Sequence, residues 1–439
     1  MLSLLRSSKR IQRTQQIAQI SLLCRDTLCD VAASAGGDSS RIVTIEKLEG
    51  GFSKALLMKK GNGKEVIAKL PCRIAGPTSL TTACEVGVLE YVRKYTSIPA
   101  PRVFSWSSDD SNPVGAEYII MEKVAGVPLF EQWGKMAEIE KLELIKNLTK
   151  LEAQLAAIRF PAYGGLYRQA DVSSLQCQEL NGSICIGPSC GRSFSTDSAA
   201  VLSTQSEKLD YGPLTFIWAI FLLRLARTQK IVSLIDFQSL SVLPLFLQAQ
   251  WPVFLKPPQN YTKGLVQPKL PGDFDELDEE GKAAALQEWS QSKLAKAYEV
   301  ATVLENGVAH NAMNIPRVFR ELFIRCGEVS EVGVVPLREC LIEIFRNWSS
   351  LGFTGQCPYS FSNEEITTHE HQFAEYQAWD EVQQLAQECL DTDAEGWIAP
   401  QLDIEEKRRQ NRELLSLYIK RMAGEKSPDE ARAMWPFPG

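Results

Sequence analysis

Three charged side chains carry the chemistry that this sequence can offer. Lys69 stands in the run VIAKL, Glu85 in TTACEVGVLEYV, and Asp236 closes the β-rich run IVSLI. Upstream of the lysine lies a glycine-containing turn, Gly50-Gly51-Phe52-Ser53. Each part has a plain structural alternative, since paired glycines ordinarily mark a turn and a strand lysine ordinarily faces water. Their order and spacing are what a kinase-type nucleotide site requires. Glycines let the backbone close over phosphates, and a lysine with an acidic partner holds those phosphates. An aspartate at a strand end can hold Mg²⁺ against the phosphate oxygens.

The elements that must position these residues follow from patterning. A strand over 42–48 is broken by Glu49-Gly50-Gly51, a second runs over 52–58, and the Gly61-Asn62-Gly63 turn joins it to a third over 65–70. In the third strand Val66, Ala68 and Leu70 share one face, and Ile67 and Lys69 the other. Thr78 or Ser79 is placed to cap a helix running to about Lys94, and strands follow at 102–106 and 116–124. From Glu131 to Ile158 leucines and isoleucines recur at helical spacing. Residues 160–212, rich in Gly, Ser and Pro, read as an irregular excursion. The run 273–280 holds six acids in eight positions and reads as a solvated loop. The expected organisation is a transit segment at 1–25, a sheet lobe at 26–125, a mainly helical lobe at 126–425 with a truncated core around 213–231, and a flexible end at 426–439.

Composition narrows the field. The 439 residues are 44% hydrophobic and 23% charged, within the globular range, with a net charge of −7 that disfavours nucleic acid as a partner. No stretch reaches the roughly 20 apolar residues of a membrane span. Eleven cysteines, an odd number in a long chain, do not form a disulfide framework. Cys177, Cys185 and Cys190 lack zinc-site spacing. The three histidines are His310, His369 and His371, and the latter two read as solvated. Residues 1–25 carry Arg6, Lys9, Arg10, Arg13 and Arg25 without an acid, with apolar residues on one helical face, which fits a mitochondrial transit peptide.

The sequence resembles the fungal altered-inheritance-of-mitochondria protein nine family, an aminoglycoside-phosphotransferase-like group. The resemblance rests on DTLCDVAAS, IEKLEGGFSKALLM, VIAKLPC, TTACEVGVLEYVRKYTSIPAPRVFSW, GAEYIIMEKVAGVPLFEQW and YGGLYRQAD. It continues through LDYGPL, SLIDFQSLSVLPLFLQAQWPVFLKPP, LPGDFDELDEE, VVPLREC and GWIAP. It implies an α+β, two-lobed protein-kinase-like fold and a mitochondrial location. It further implies that Gly50, Gly51 and Ser53 cover the phosphates and that Lys69, paired with Glu85, contacts them. The backbone from Glu122 to Val124 would receive adenine, and Asp236 would bind the metal, so Mg and ATP are the implied cofactors. Protein partners are not specified.

One part of that pattern is missing. The family requires a His-x-Asp loop with an Asn five residues beyond the Asp, shortly before the metal-binding aspartate. The first histidine here, His310, follows Asp236, and Thr215 to Lys230 contain no Asp, Asn, Glu or His. The catalytic loop and its strand are therefore expected to be absent, and no catalytic residue is assigned. The chain is then a degenerate kinase-like protein that can still bind Mg·ATP, or a phosphotransferase whose gene model has lost coding sequence, or an enzyme in which another carboxylate, Asp171 or Asp210, substitutes.

Overall fold

The computed structural model describes residues 22–48, 53–72, 76–172, 175–190, 214–216, 222–225, 230–238, 240–392, 396 and 402–437. The expected transit segment and the Gly50-Gly51 turn lie outside these residues. The chain forms two compact units, one spanning Leu22–Ile315 and the other built from Pro316 onward.

The first unit opens with helix α1 (Leu22–Ser34) and a five-stranded antiparallel sheet. Its strands are β1 (Ile42–Leu48), β2 (Ser53–Lys60), β3 (Glu65–Pro71), β4 (Val103–Ser107) and β5 (Tyr118–Glu122), in the order β1-β2-β3-β5-β4. Helix α2 (Leu80–Tyr95) connects β3 to β4. The period of two along each strand sorts the core. Val66, Ala68, Leu70, Tyr118 and Ile120 pack with Leu28 and Ala32 of α1. Ile119 and Met121, with Ile67, pack against Val86 of α2. The same alternation turns Lys69 toward α2. A buried lysine secures the outer layer. Lys60 Nζ donates to the carbonyls of Ala33 (3.0 Å), Ala35 and Asp38 (3.1 Å), where α1 ends and leaves acceptors unmet.

Short strand β6 (Val127–Pro128) and helices α3 (Leu129–Trp133) and α4 (Glu138–Ala157) lead out of the sheet. Residues 160–190 are more regular than their composition suggests. Strands β7 (Gly165–Arg168), β8 (Gln178–Glu179) and β9 (Ile184–Gly187) form a sheet in the order β7-β9-β8. The glycines at 164, 165 and 187 that read as loop punctuation serve close packing, Gly164 against the backbone of Gly187 and Gly165 and Gly187 against the Tyr167 ring. A side chain on Gly164 would strike the Gly187 carbonyl oxygen. The expected irregular excursion is thus corrected for this stretch.

Strand β10 (Leu214–Phe216) pairs with β13 (Val242–Pro244), and β11 (Leu222–Leu225) lies between β12 (Ile231–Ile235) and β6. Helices α5 (Leu245–Gln248), α6 (Glu279–Glu305) and α7 (Gly307–Met313) complete the unit. The acidic run is only partly a loop. Asp278 caps α6, accepting from the Gly281 N–H at 2.8 Å, and Glu279 and Glu280 form the first helical turn, where the dipole favours them. Inside the unit Glu152 of α4 is fully buried and accepts from the Tyr298 hydroxyl of α6 at 2.9 Å.

The second unit holds α8 (Arg317–Val332), α9 (Val335–Arg346), α10 (Asn363–Leu390), α11 (Ile404–Met422) and α12 (Pro428–Met434). One expectation is overturned here. His369 is buried and not solvated. It stacks on Phe373 and its Nε2 lies 2.8 Å from Glu339 Oε2. The C-terminal stretch is described through 437. Ser427 and Glu430 form a reciprocal capping box, and Trp435 and Phe437 are buried beside Tyr418. Trp435 Nε1 donates to Asn411 at 2.8 Å. The resulting α+β architecture, an antiparallel sheet followed by a mainly helical remainder, is the one expected.

Two measurements check this packing. Lys60→Met removes a hydrogen bond from each of three carbonyls, of which Ala33 keeps the Ser40 N–H, and should cost about 2 kcal/mol in chemical denaturation, against near zero for the exposed Lys59→Met. Burial raises the Glu152 carboxyl from 4.5 to about 8, against the hydrogen bond from Tyr298. Above 4.5 the unfolded chain holds fewer protons than the folded one. Stability should therefore fall as pH rises from about 4.5 to 8, and Glu152→Gln should flatten that slope.

Candidate nucleotide site

Three segments distant in sequence converge on one ammonium group. Lys69 Nζ contacts both oxygens of Glu85, at 2.7 and 2.9 Å, and Asp236 Oδ1 at 2.9 Å. Lys69 is 7% exposed and Glu85 4%, whereas the Asp236 side chain is 35% exposed. The lysine is thus closed to solvent while the aspartate stays open on one side. Burial pushes the Lys69 pKa down, but attraction to Glu85 and then Asp236 more than reverses this. The net direction is upward, and the amine stays charged.

Local structure explains each position. Lys69 sits on β3, opposite Ala55 of β2 and Ile119 of β5, so its backbone is fixed from both sides. Glu85 lies one turn into α2, whose start is held from an unexpected quarter. Ser79 occupies the N-cap position without making a side-chain cap. The capping comes instead from Glu117, just before β5, which accepts from the Ser79 N–H at 2.8 Å and the Thr82 hydroxyl at 2.6 Å. A carboxylate there suits the positive end of the helix. Asp236 leaves β12 with φ at 70°, a left-handed conformation uncommon for a residue with a side chain. Strand β12 is anchored by the Leu234 N–H to the Pro99 carbonyl at 2.8 Å and by the buried Phe237 beyond.

The remaining site residues are more dispersed. Ser53 begins β2 opposite Pro71. The Glu122 N–H donates to the Arg102 carbonyl at 2.8 Å, and its carboxylate accepts from the Arg102 N–H at 3.1 Å. Val124 is half-buried in the connection to β6. Gly50 and Gly51 fall outside the described residues.

The catalytic-loop region carries one correction. A strand does form, because β11 pairs with β12 from Leu222 opposite Ile235 to Leu225 opposite Ile231. What the stretch 215–230 lacks is any Asp, Asn, Glu or His. Of the substitute carboxylates, Asp171 binds Arg168 at 3.3 Å, and Asp210 lies outside the described residues. Among the described residues no three His, Cys, Asp or Glu side chains group to hold a metal by themselves.

No protein-family model matches the chain. Two Aspergillus fumigatus proteins named "Subtelomeric hrmA-associated cluster protein" are 27% identical over 497 residues of alignment, covering 90% of this chain and 96% of theirs. That alignment is longer than the 439 residues here, so it opens gaps opposite this chain. "Altered inheritance of mitochondria protein 9, mitochondrial" from Candida tropicalis is 26% identical over 183 residues, 38% of this chain and 29% of that protein. The Meyerozyma guilliermondii protein of the same name is 24% identical, over 38% of this chain and 30% of its own. The chain is similar to these altered-inheritance-of-mitochondria protein 9 sequences over 38% of its own length. Its alignments with those proteins cover a third or less of their length. Among solved structures, a putative aminoglycoside phosphotransferase from Ralstonia eutropha aligns with 80% of this chain and 94% of its own, at 11% identity and a TM-score of 0.38. A streptomycin-ATP-APH(2")-IIa ternary complex covers 27% of this chain and 36% of its own, at 20% identity and a TM-score of 0.22.

Removing one partner of the charge cluster tests its energetics. Lys69→Met leaves Glu85 buried without a counter-charge and should cost about 3–5 kcal/mol in urea denaturation. The double change Lys69→Met with Glu85→Leu should recover most of that loss, since both charges then leave together.

Proposed function

We propose that this chain is a mitochondrial kinase-like protein that binds Mg·ATP and transfers no phosphoryl group. The observation that carries it is the Lys69–Glu85–Asp236 cluster. The cluster is built from one cation and two carboxylates, and its open carboxylate suits a metal. One carboxylate from the protein is enough for Mg²⁺ when phosphate oxygens and water supply the other ligands. Asp236 would hold the metal, Lys69 would meet the phosphates, and Gly50, Gly51 and Ser53 would lie over them. The Glu122 to Val124 backbone would take the adenine. When bound, Mg²⁺ neutralises charge between the phosphate oxygens. Transfer further needs a base within hydrogen-bond reach of the substrate hydroxyl and an Asn for the metal, and the stretch from Thr215 to Lys230 that precedes Asp236 supplies neither. The mitochondrial location is supported by the basic, acid-free N-terminus and by the names of the protein 9 relatives.

A second reading has its own support. The gapped alignment with the Aspergillus proteins fits a phosphotransferase from which a segment has been lost in this sequence.

Mg·ATP at a hundredfold excess over its Kd stabilises a folded protein by about 2.7 kcal/mol. The native chain should show a concentration-dependent rise in Tm with Mg·ATP, lost in Lys69→Ala and Asp236→Ala, and no ATP turnover above background. No rise at millimolar Mg·ATP overturns nucleotide binding, and turnover overturns inactivity. Sequencing the native mRNA between the codons for Asp210 and Ile231 separates the two readings. A longer transcript encoding His-x-Asp and a later Asn selects the phosphotransferase.

A further inference from the structure

The small sheet β7-β9-β8 has no part in holding Lys69, yet it touches both sides of the site. Gly87 lies two residues beyond Glu85 on α2. A methyl group there would strike the Leu166 carbonyl oxygen, and would lie 2.8 Å from the Tyr167 Cα and 2.9 Å from the Leu166 carbonyl carbon. All three atoms are backbone of β7, so no side chain can swing aside. Alanine would ordinarily improve a helix interior over glycine by about 1 kcal/mol. Glycine at this position therefore answers a packing demand, the direct seating of α2 on β7.

A second tie flanks Glu85 on its other side. The Cys84 thiol donates to the Leu240 carbonyl at 3.3 Å, and Cys190, just beyond β9, points to the same oxygen at 3.8 Å. Leu240 is four residues past Asp236. The small sheet is itself joined to that segment, because Gly164 and Val242 exchange two backbone hydrogen bonds, at 3.1 and 2.7 Å. The Glu85 helix, the small sheet and the chain after Asp236 thus form one closed circuit of contacts.

We propose that the β7-β9-β8 sheet is the positioning element of the site. It sets where Glu85 stands relative to Lys69 and Asp236 directly through Gly87, and through Cys84 by way of the Leu240 segment to which it is joined. The proposal rests on the reading of that cluster as a nucleotide site, and its test is arranged to fail separately. Trace acetylation of the full chain with acetic anhydride, read by mass spectrometry, reports the accessibility of each lysine. Lys60, buried on the opposite face of the large sheet, is the internal reference.

Gly87→Ala should raise Lys69 acetylation at least tenfold with Lys60 unchanged, and should weaken Mg·ATP binding about tenfold by calorimetry. Cys84→Ala should act in the same direction by about threefold, and Cys84→Ser, which keeps a donor, should restore the native values. Gly134→Ala, with open space around it, should change neither. Unchanged Lys69 labelling in folded Gly87→Ala overturns the proposal, as does a parallel rise at Lys60 and Lys69, which marks general destabilisation. If Gly87→Ala does not fold, the Cys84→Ala and Cys84→Ser pair decides by the same lysine ratio. If the native chain binds no Mg·ATP, the nucleotide reading fails and the acetylation result still decides the positioning.

Discussion

A single ammonium group, held in the interior between two carboxylates, sets the terms for the rest of this fold. Lys69, Glu85 and Asp236 come from a strand, a helix and the end of a second strand, 167 residues apart at the extremes. Burying such a cluster is an expensive way to stabilise a protein, because well-packed apolar side chains of similar volume would serve as well or better. Its retention points to chemistry rather than stability. The cluster also carries one more negative charge than positive. In a low-dielectric setting that excess draws a cation, and the open side of Asp236 is where one can approach.

Everything around the cluster follows from keeping that geometry. The sheet is covered on both faces, by α1 on one and α2 on the other, so its register is fixed by burial. A slip of one residue in β3 would turn Lys69 toward the apolar layer of Leu28 and Met58 and bring Ala68 toward Glu85. The helix has little freedom either, since it is gripped at its start by Glu117 and along its length by β7.

Much of this was legible in the sequence because the signals were local. The period of two in β3 gave the face of Lys69, the Gly61-Asn62-Gly63 turn gave the hairpin, and an acid in the following helix gave its partner. The parts that escaped reading depend on long-range contacts. The cap of α2 comes from Glu117, 38 residues beyond Ser79, and spacing alone does not reveal such a donor–acceptor pair. The strands at 165–187 are short and glycine-rich, and their glycines make room for the Tyr167 ring rather than for turns. His369 sits in a polar stretch, but Phe373 and Tyr376 at helical spacing mark the face it shares, a pattern that a reading centred on charge passes over. At the C-terminus, Ser427-x-x-Glu430 was a readable capping box, whereas the burial of Trp435 depends on Asn411 and Tyr418.

The absence of Asp, Asn, Glu and His from 215–230 and the presence of the cluster are compatible because different contacts support the cluster. Asp236 is carried by β12, and β12 is held by β11 on one edge and by the Pro99 carbonyl through Leu234 and Ser233. None of these contacts draws on an acid, amide or imidazole in the stretch from 215 to 230. That stretch needs only backbone at Leu222–Leu225 to extend the sheet toward β6, which its apolar, β-prone composition provides. A chain can therefore lack the groups that move a proton and still keep the aspartate that would face a metal. On the proposed reading, nucleotide binding and phosphoryl transfer are separable in this architecture, and the Lys69–Glu85–Asp236 cluster would serve the first.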